Sequence, residues 1–131
     1  MANKYERAAQ IMPVLRVVAK HQSRITYGEL ATAIGGSSMG IGQWLSPVQD
    51  YCEVHNLPPI TVLAINEGTG EPGPGYRVRG TVGRDREVVY AHDWLKWTPI
   101  SGGEGRVAPT PEEFEEAEHL YTTLQAEHVT K

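Results

Sequence analysis

Apolar side chains recur along residues 4–21 at Ala8, Met12, Leu15 and Val18 or Ala19, close to the 3.6-residue period of a helix, with Arg7, Arg16 and Lys20 interspersed. Pro13 either kinks this helix or marks where its regular part begins, because proline removes one intrahelical hydrogen bond. A second, short helix is predicted from Tyr27 to Ile34, burying Leu30, Ala31 and Ile34. Thr26 sits in the N-cap position, and Glu29 three residues later completes a capping box. Gly35 and Gly36 stop that helix, and Ser37 or Ser38 can cap the next. The next helix is expected from about Met39 to His55, with Ile41, Trp44 or Leu45, Val48 and Cys52 on one face. Pro47 bends or splits it near Ser46.

After Leu57-Pro58-Pro59 the pattern changes. ITVLAIN (residues 60–66) is rich in β-branched residues and predicts a strand; GTGEPGPG reads as a loop, and YRVRG (residues 76–80) as a returning strand. Val88 to Trp94 predicts either a further strand or a short helix. ISGGEGRVAP reads as a linker. Thr110-Pro111-Glu112-Glu113 opens a last helix with a threonine cap, a proline at the first helical position and a glutamate at the third. Its apolar stripe is Phe114, Ala117, Tyr121 and Leu124, of which Phe114, Tyr121 and Leu124 are expected to dock it. The predicted fold is therefore α/β: a winged helix-turn-helix with a β-hairpin wing and an extra C-terminal helix. Residues 1–99 form the winged domain, 100–109 the linker, and 110–131 an amphipathic helix packed back on it.

The 131 residues fit one domain with an appendage, and 40% hydrophobic content with three tryptophans suffices for a core. No apolar stretch approaches the roughly 18 residues of a membrane helix. The opening MANKYERAAQ lacks the charged start and apolar run of a signal peptide. The single cysteine, Cys52, excludes an internal disulfide framework and fits a reducing, cytoplasmic setting. Net charge is −4, unevenly spread: residues 1–24 carry +4, residues 100–131 carry −5, and the intervening residues −3. Such a distribution suits one positive face toward phosphate, or ordinary solvated helices.

The run ITYGELATAIG resembles the opening of the winged-helix domain of alkylguanine-DNA alkyltransferases and their alkyltransferase-like relatives, over roughly the middle 50 residues. The resemblance implies that Tyr27 touches a DNA phosphate and that the following helix lies in the minor groove. It implies too that Met39 stands where the family has an arginine replacing the flipped nucleotide, leaving an apolar wedge. Gly40 and Gly42 echo the glycines that let that helix approach DNA closely. The family's Pro-Cys-His-Arg run, with its alkyl-accepting thiolate, is matched here by Pro59-Ile60-Thr61-Val62-Leu63-Ala64. With no nucleophile and no base at that place, and Cys52 lying earlier, alkyl transfer is excluded. YCEVHNLPPITVLAINEGTGEPGPG and the later VYAHDW also resemble a group of small bacterial and phage proteins, some of which carry this unit beside an HNH nuclease domain. That resemblance implies a mobile-element or DNA-processing setting; the nuclease part itself is absent here.

Other constellations carry less. Cys52 and His55 have the gap of a zinc half-site but no second half-site follows, and the adjacent His92 and Asp93 point apart, so no metal and no cofactor is expected. GTGEPGPG lacks a lysine and leads into a strand, so it is no phosphate loop. Ser46, Ser101 and the five histidines show no nucleophile-base spacing. The run Glu112 to Glu118 reads as a solvated helix face, and Trp94 and Trp97 as core. No enzyme is expected. The expected function is weak, salt-sensitive binding of double-stranded DNA through Tyr27, Ser37, Ser38, Met39 and Gln43 at the helices and Arg77, Arg79, Arg84 and Arg86 around the wing. The alternative is a protein-interaction module, an accessory or inhibitor from a mobile element, because the second helix of the motif offers Asp50 and Glu53 but no cation.

Overall fold

The structure, a computed structural model, describes residues 3–96 and 108–129, with side chains to residue 126. Among these, five helices surround a small two-stranded parallel sheet. Helix α1 (Lys4–Lys20) starts in a capping box of Asn3 and Glu6 and continues through Pro13. Strand β1 (Ile25–Thr26) leads into α2 (Tyr27–Ile34), whose expected capping box of Thr26 and Glu29 is present. Gly35, with φ of 71°, ends α2 in the left-handed conformation that favours glycine. A 3-10 turn (Ser38–Gly40) then opens onto α3 (Ile41–Val54), which contains Pro47 without splitting. Strand β2 (Ala64–Ile65), α4 (Val82–Ala91) and α5 (Pro111–Val129) complete the described chain.

The antiparallel hairpin expected from residues 60–66 and 76–80 does not form. Ile60–Leu63 winds into a 3-10 turn, and β2 pairs in parallel with β1, Ile25 opposite Ala64 and Thr26 opposite Ile65. A single antiparallel bridge, Ile65 to Pro72, is what remains of the hairpin. The reason is the fate of the returning segment's backbone donors. Pro72 and Pro74 have none. The N–H of Arg77 goes to Gln49 Oε1 (2.8 Å), and those of Arg79 and Gly80 go to the two oxygens of Asp85 (2.9 and 3.0 Å). Side chains capture the groups that a strand ladder would need. Val88 to Trp94 is likewise no strand: it forms the end of α4 and a turn that inserts the Trp94 ring into the core.

The core is continuous. Ile11, Met12 and Leu15 of α1, Leu30 of α2, Ile41, Val48 and Tyr51 of α3, and Ile60, Val62 and Leu63 pack together with Val89, Trp94 and Phe114. Arg16 is buried beside them, its Nε donating to the Trp94 carbonyl at 2.9 Å. Trp94 is core as expected; Trp97 and residues 100–107 of the expected linker lie outside the described residues.

Helix α5 packs on α3 and α1. Its entry is the predicted capping box: Glu113 N–H donates to Thr110 Oγ1 and Thr110 N–H to Glu113 Oε1. Phe114 and Ala117 are fully buried, and Tyr121 is half-buried against Arg77. Leu124 is 53% exposed, so it is not a docking residue. The opposite charges of the two chain ends meet here, with Lys4 Nζ 2.8 Å from Glu118 Oε2 and the Tyr5 hydroxyl donating to Glu118 Oε1 at 2.7 Å. Truncation after Pro109 is therefore expected to lower Tm by roughly 10 °C or more, since deleting a buried aromatic alone costs about 3–5 kcal/mol. Differential scanning calorimetry of the shortened chain checks this.

Candidate nucleic-acid interface

The residues proposed from sequence for DNA contact fall into two groups. The first lies on the turn between α2 and α3. Ser37 caps that turn, its Oγ accepting from Met39 N–H at 3.3 Å. Ser37, Ser38, Gly42 and Gln43 are exposed, and Met39, at 94% exposure, projects almost wholly into solvent. Residues 30–49 contain no charged side chain, so neither attraction nor repulsion toward phosphate arises from the turn itself.

What holds the turn in place is Trp44. Its ring lies so close to Gly40 that a Cβ there would sit 2.3 Å from ring carbon Cζ2, and at Gly36 2.9 Å from Cζ3. Only glycine fits at Gly40 without moving the ring. Arg7 of α1 stacks on the same indole, its guanidinium carbon 5.0 Å from the ring centroid. Arg7 Nη1 also donates to the Ile34 carbonyl and to Gln10 Oε1, both at 3.0 Å.

The second group is the segment Gly73–Gly80, which the structure binds down across α3 and α4 as a strap. Tyr27 does not project outward: its hydroxyl accepts the N–H of Gly73 at 3.2 Å. Gln49 grips the backbone from both sides, donating to the Gly75 carbonyl at 3.1 Å while accepting from Arg77. Arg77 Nη2 lies 2.7 Å from Asp50 Oδ1, and its guanidinium covers the Tyr121 ring at 4.3 Å. Arg79 Nε pairs with Glu53 Oε1 at 3.0 Å. The two carboxylates that counted against DNA on α3 are thus the partners of the two arginines that counted for it. Arg77 and Arg79 are held by α3 rather than offered to phosphate.

Arg84 does reach solvent, in a loose pair with Glu87 at 3.4 Å. Arg86 is half-buried; its Nε and Nη2 lie beneath the surface without a hydrogen-bond partner. The predicted residues therefore do not form one surface: Ser37, Ser38, Met39 and Gln43 cluster on the turn, while Tyr27, Arg77 and Arg79 are internal fastenings.

Asp85 is the centre of those fastenings, and sequence reasoning missed it. It is buried in the first turn of α4 and accepts from the Tyr76 hydroxyl at 2.7 Å as well as from the backbone of Arg79 and Gly80. Burial alone would raise its carboxyl, but these three donors outweigh that and hold it below its ordinary value. Tyr76 is pushed up, first by burial and then by the Asp85 carboxylate it donates to. Asp50 moves the other way from Asp85: burial raises its carboxyl despite the Arg77 guanidinium beside it.

Cys52 is fully buried, and desolvation pushes its thiol up to about 12. The Thr61 hydroxyl is buried without a hydrogen-bond partner beside a cavity of about 20 Å³ lined by Tyr27, Leu45, Gln49 and Tyr76. Among the described residues no three His, Cys, Asp or Glu side chains converge as metal ligands, and no helix is long and apolar enough to cross a membrane. In the folded protein Cys52 is expected to resist a thiol reagent at pH 8 and to react fully once denatured; rapid labelling of the native chain would contradict its burial. Comparison with protein-family models, curated proteins and solved structures finds no match to this chain.

Proposed function

We propose that this protein binds double-stranded DNA without doing chemistry on it, presenting the turn between α2 and α3 to a groove with Met39 as an apolar wedge. The observation that carries the reading is Met39 itself. A methionine exposed to 94% gains nothing for the fold, and it stands at the tip of a turn whose other exposed side chains are small or neutral. Wedges of this kind work by partly unstacking a base step, an operation that needs no cation at the tip. The resemblance to the alkyltransferase winged-helix domain supports the same face. The wing is the part of that resemblance that has changed, its place in the chain order being taken by the fastened strap.

Phosphate attraction falls in this reading to Arg84 and Arg24, both exposed. So few cations on a chain of net charge −4 give weak binding with a shallow salt dependence, about 0.9 per phosphate contact on logarithmic axes. Met39→Glu should reduce affinity for every duplex alike by about tenfold at low salt, because a carboxylate at the tip meets phosphates on both sides of the groove. Fluorescence anisotropy with labelled duplexes reads this, and unchanged affinity would remove Met39 from the interface.

The engagement of Arg77 and Arg79 by Asp50 and Glu53 favours a second reading, a protein-interaction module in which Met39 anchors a protein partner instead. Both readings fit a DNA-processing or mobile-element setting. Absence of duplex binding at low salt, together with a protein partner whose capture Met39→Glu abolishes, would select the second.

A further inference from the structure

We infer that Arg7 and Trp44 are the positioning residues of the Met39 turn, so that helix α1, which lies outside the helix-turn-helix segment, sets how far the wedge reaches. This rests on the DNA reading above and extends it from the tip to what stiffens the tip. A wedge unstacks bases only if it does not itself yield. A three-residue 3-10 turn that ends on Gly40 and begins two residues after Gly36 is, by composition, the most yielding backbone in the motif. The structure removes that freedom with one ring. Trp44 fills the space that side chains at positions 36 and 40 would occupy.

Arg7 fixes the ring in turn. Its guanidinium lies over the indole at 5.0 Å, and its Nη1 donates to the Ile34 carbonyl at the end of α2 and to Gln10 Oε1. One planar cation therefore touches α1, the last turn of α2 and the first turns of α3 together. Lysine, a point charge on a flexible stem, cannot make the stack and the two hydrogen bonds at once. Arg7 serves the turn through Trp44 rather than by contact with the partner.

The test uses the full chain and two readouts. Amide hydrogen exchange of the free protein reports the turn directly. Arg7→Gln and Arg7→Lys should each speed exchange at residues 36–40 by about tenfold while leaving the α1, α3 and α5 cores unchanged. A duplex carrying 2-aminopurine at a TA step, the kind of step most easily unstacked, reports the wedge. At saturating protein the wild type should raise its fluorescence, Met39→Ala should not, and both Arg7 variants should lose about half or more of the rise. Lys96→Gln, a remote exposed charge change, serves as the control and should behave as wild type.

Unchanged exchange at residues 36–40 in Arg7→Gln would overturn the brace whatever the DNA result. Faster exchange with the full 2-aminopurine rise would overturn the positioning role. A full rise in Arg7→Lys but not in Arg7→Gln would show that Arg7 acts as a charge alone, which also overturns it. A wild type that neither binds nor unstacks the duplex would sink the DNA reading and this inference with it. A wild type that unstacks while the Arg7 variants match it would sink this inference only.

Discussion

Asp85→Ala is expected to be among the most damaging single substitutions in the chain, lowering stability by about 3–5 kcal/mol. The carboxylate is buried, and it takes the Tyr76 hydroxyl and the backbone donors of Arg79 and Gly80. Hydrogen bonds to a charged group are worth about 1.5–3 kcal/mol each, and deletion leaves their donors unpaired. Asp85→Asn keeps the shape but offers one acceptor oxygen instead of two, so it should fall between wild type and alanine. The pH dependence has a definite sign. The folded-state pKa lies below the ordinary value of 3.8, so this contribution is complete above that pH and is lost as pH falls through the folded value. The stability gap between wild type and Asp85→Ala should therefore be constant near neutrality and shrink in acid. Urea denaturation at neutral pH and in acid measures both; a gap that widened in acid would contradict the assignment.

Arg77→Ala should destabilise the protein by about 2–3 kcal/mol, and the loss should come from Asp50. Removing one partner of a fully buried ion pair costs about 3–5 kcal/mol, because the remaining charge is stranded. Arg77 is one-third exposed while the Asp50 side chain is nearly inaccessible, which places the cost at or below the low end of that range. Burial already raises the Asp50 carboxyl, and without the guanidinium it should rise further. In an Asp50→Asn background the same arginine substitution should cost much less, leaving mainly the loss of stacking on Tyr121. A double-mutant cycle by chemical denaturation gives the coupling. Near-zero coupling would mean that Arg77 does not neutralise Asp50, and the arginine would again be free to act on phosphate.

Helices with their own start and stop signals were legible in the sequence. Thr26 with Glu29, Thr110 with Glu113, and the Gly35 stop are local devices, and each operates where the chain predicted it. The β-branched run at residues 60–65 misled because β-propensity states only that side chains suit a pleated surface, not which strand they pair with. Its partner, Ile25–Thr26, is two residues long and shows no strand pattern of its own. The returning segment was misread for a related reason. Arginines at 77 and 79 look like a basic strand face until Asp50, Glu53 and Asp85 are brought against them, and those contacts span 27, 26 and 6 residues of sequence. Of the proposed contact residues, Ser37, Ser38 and Met39 fall together because one turn carries them, and Gln43 follows in the first turn of α3. Trp44 and Arg7 were visible as residues but not as a brace, since only the fold places α1 over the turn.

A titration of wild-type protein into a fluorescently labelled duplex, at low salt and again at rising salt, tests the central claim most directly. Phosphate attraction is strongest at low salt. The DNA reading predicts saturable anisotropy there, indifferent to duplex sequence, weakening with a shallow logarithmic salt slope set by a few phosphate contacts. No change in anisotropy at the lowest salt, with the protein shown to be folded, would contradict it.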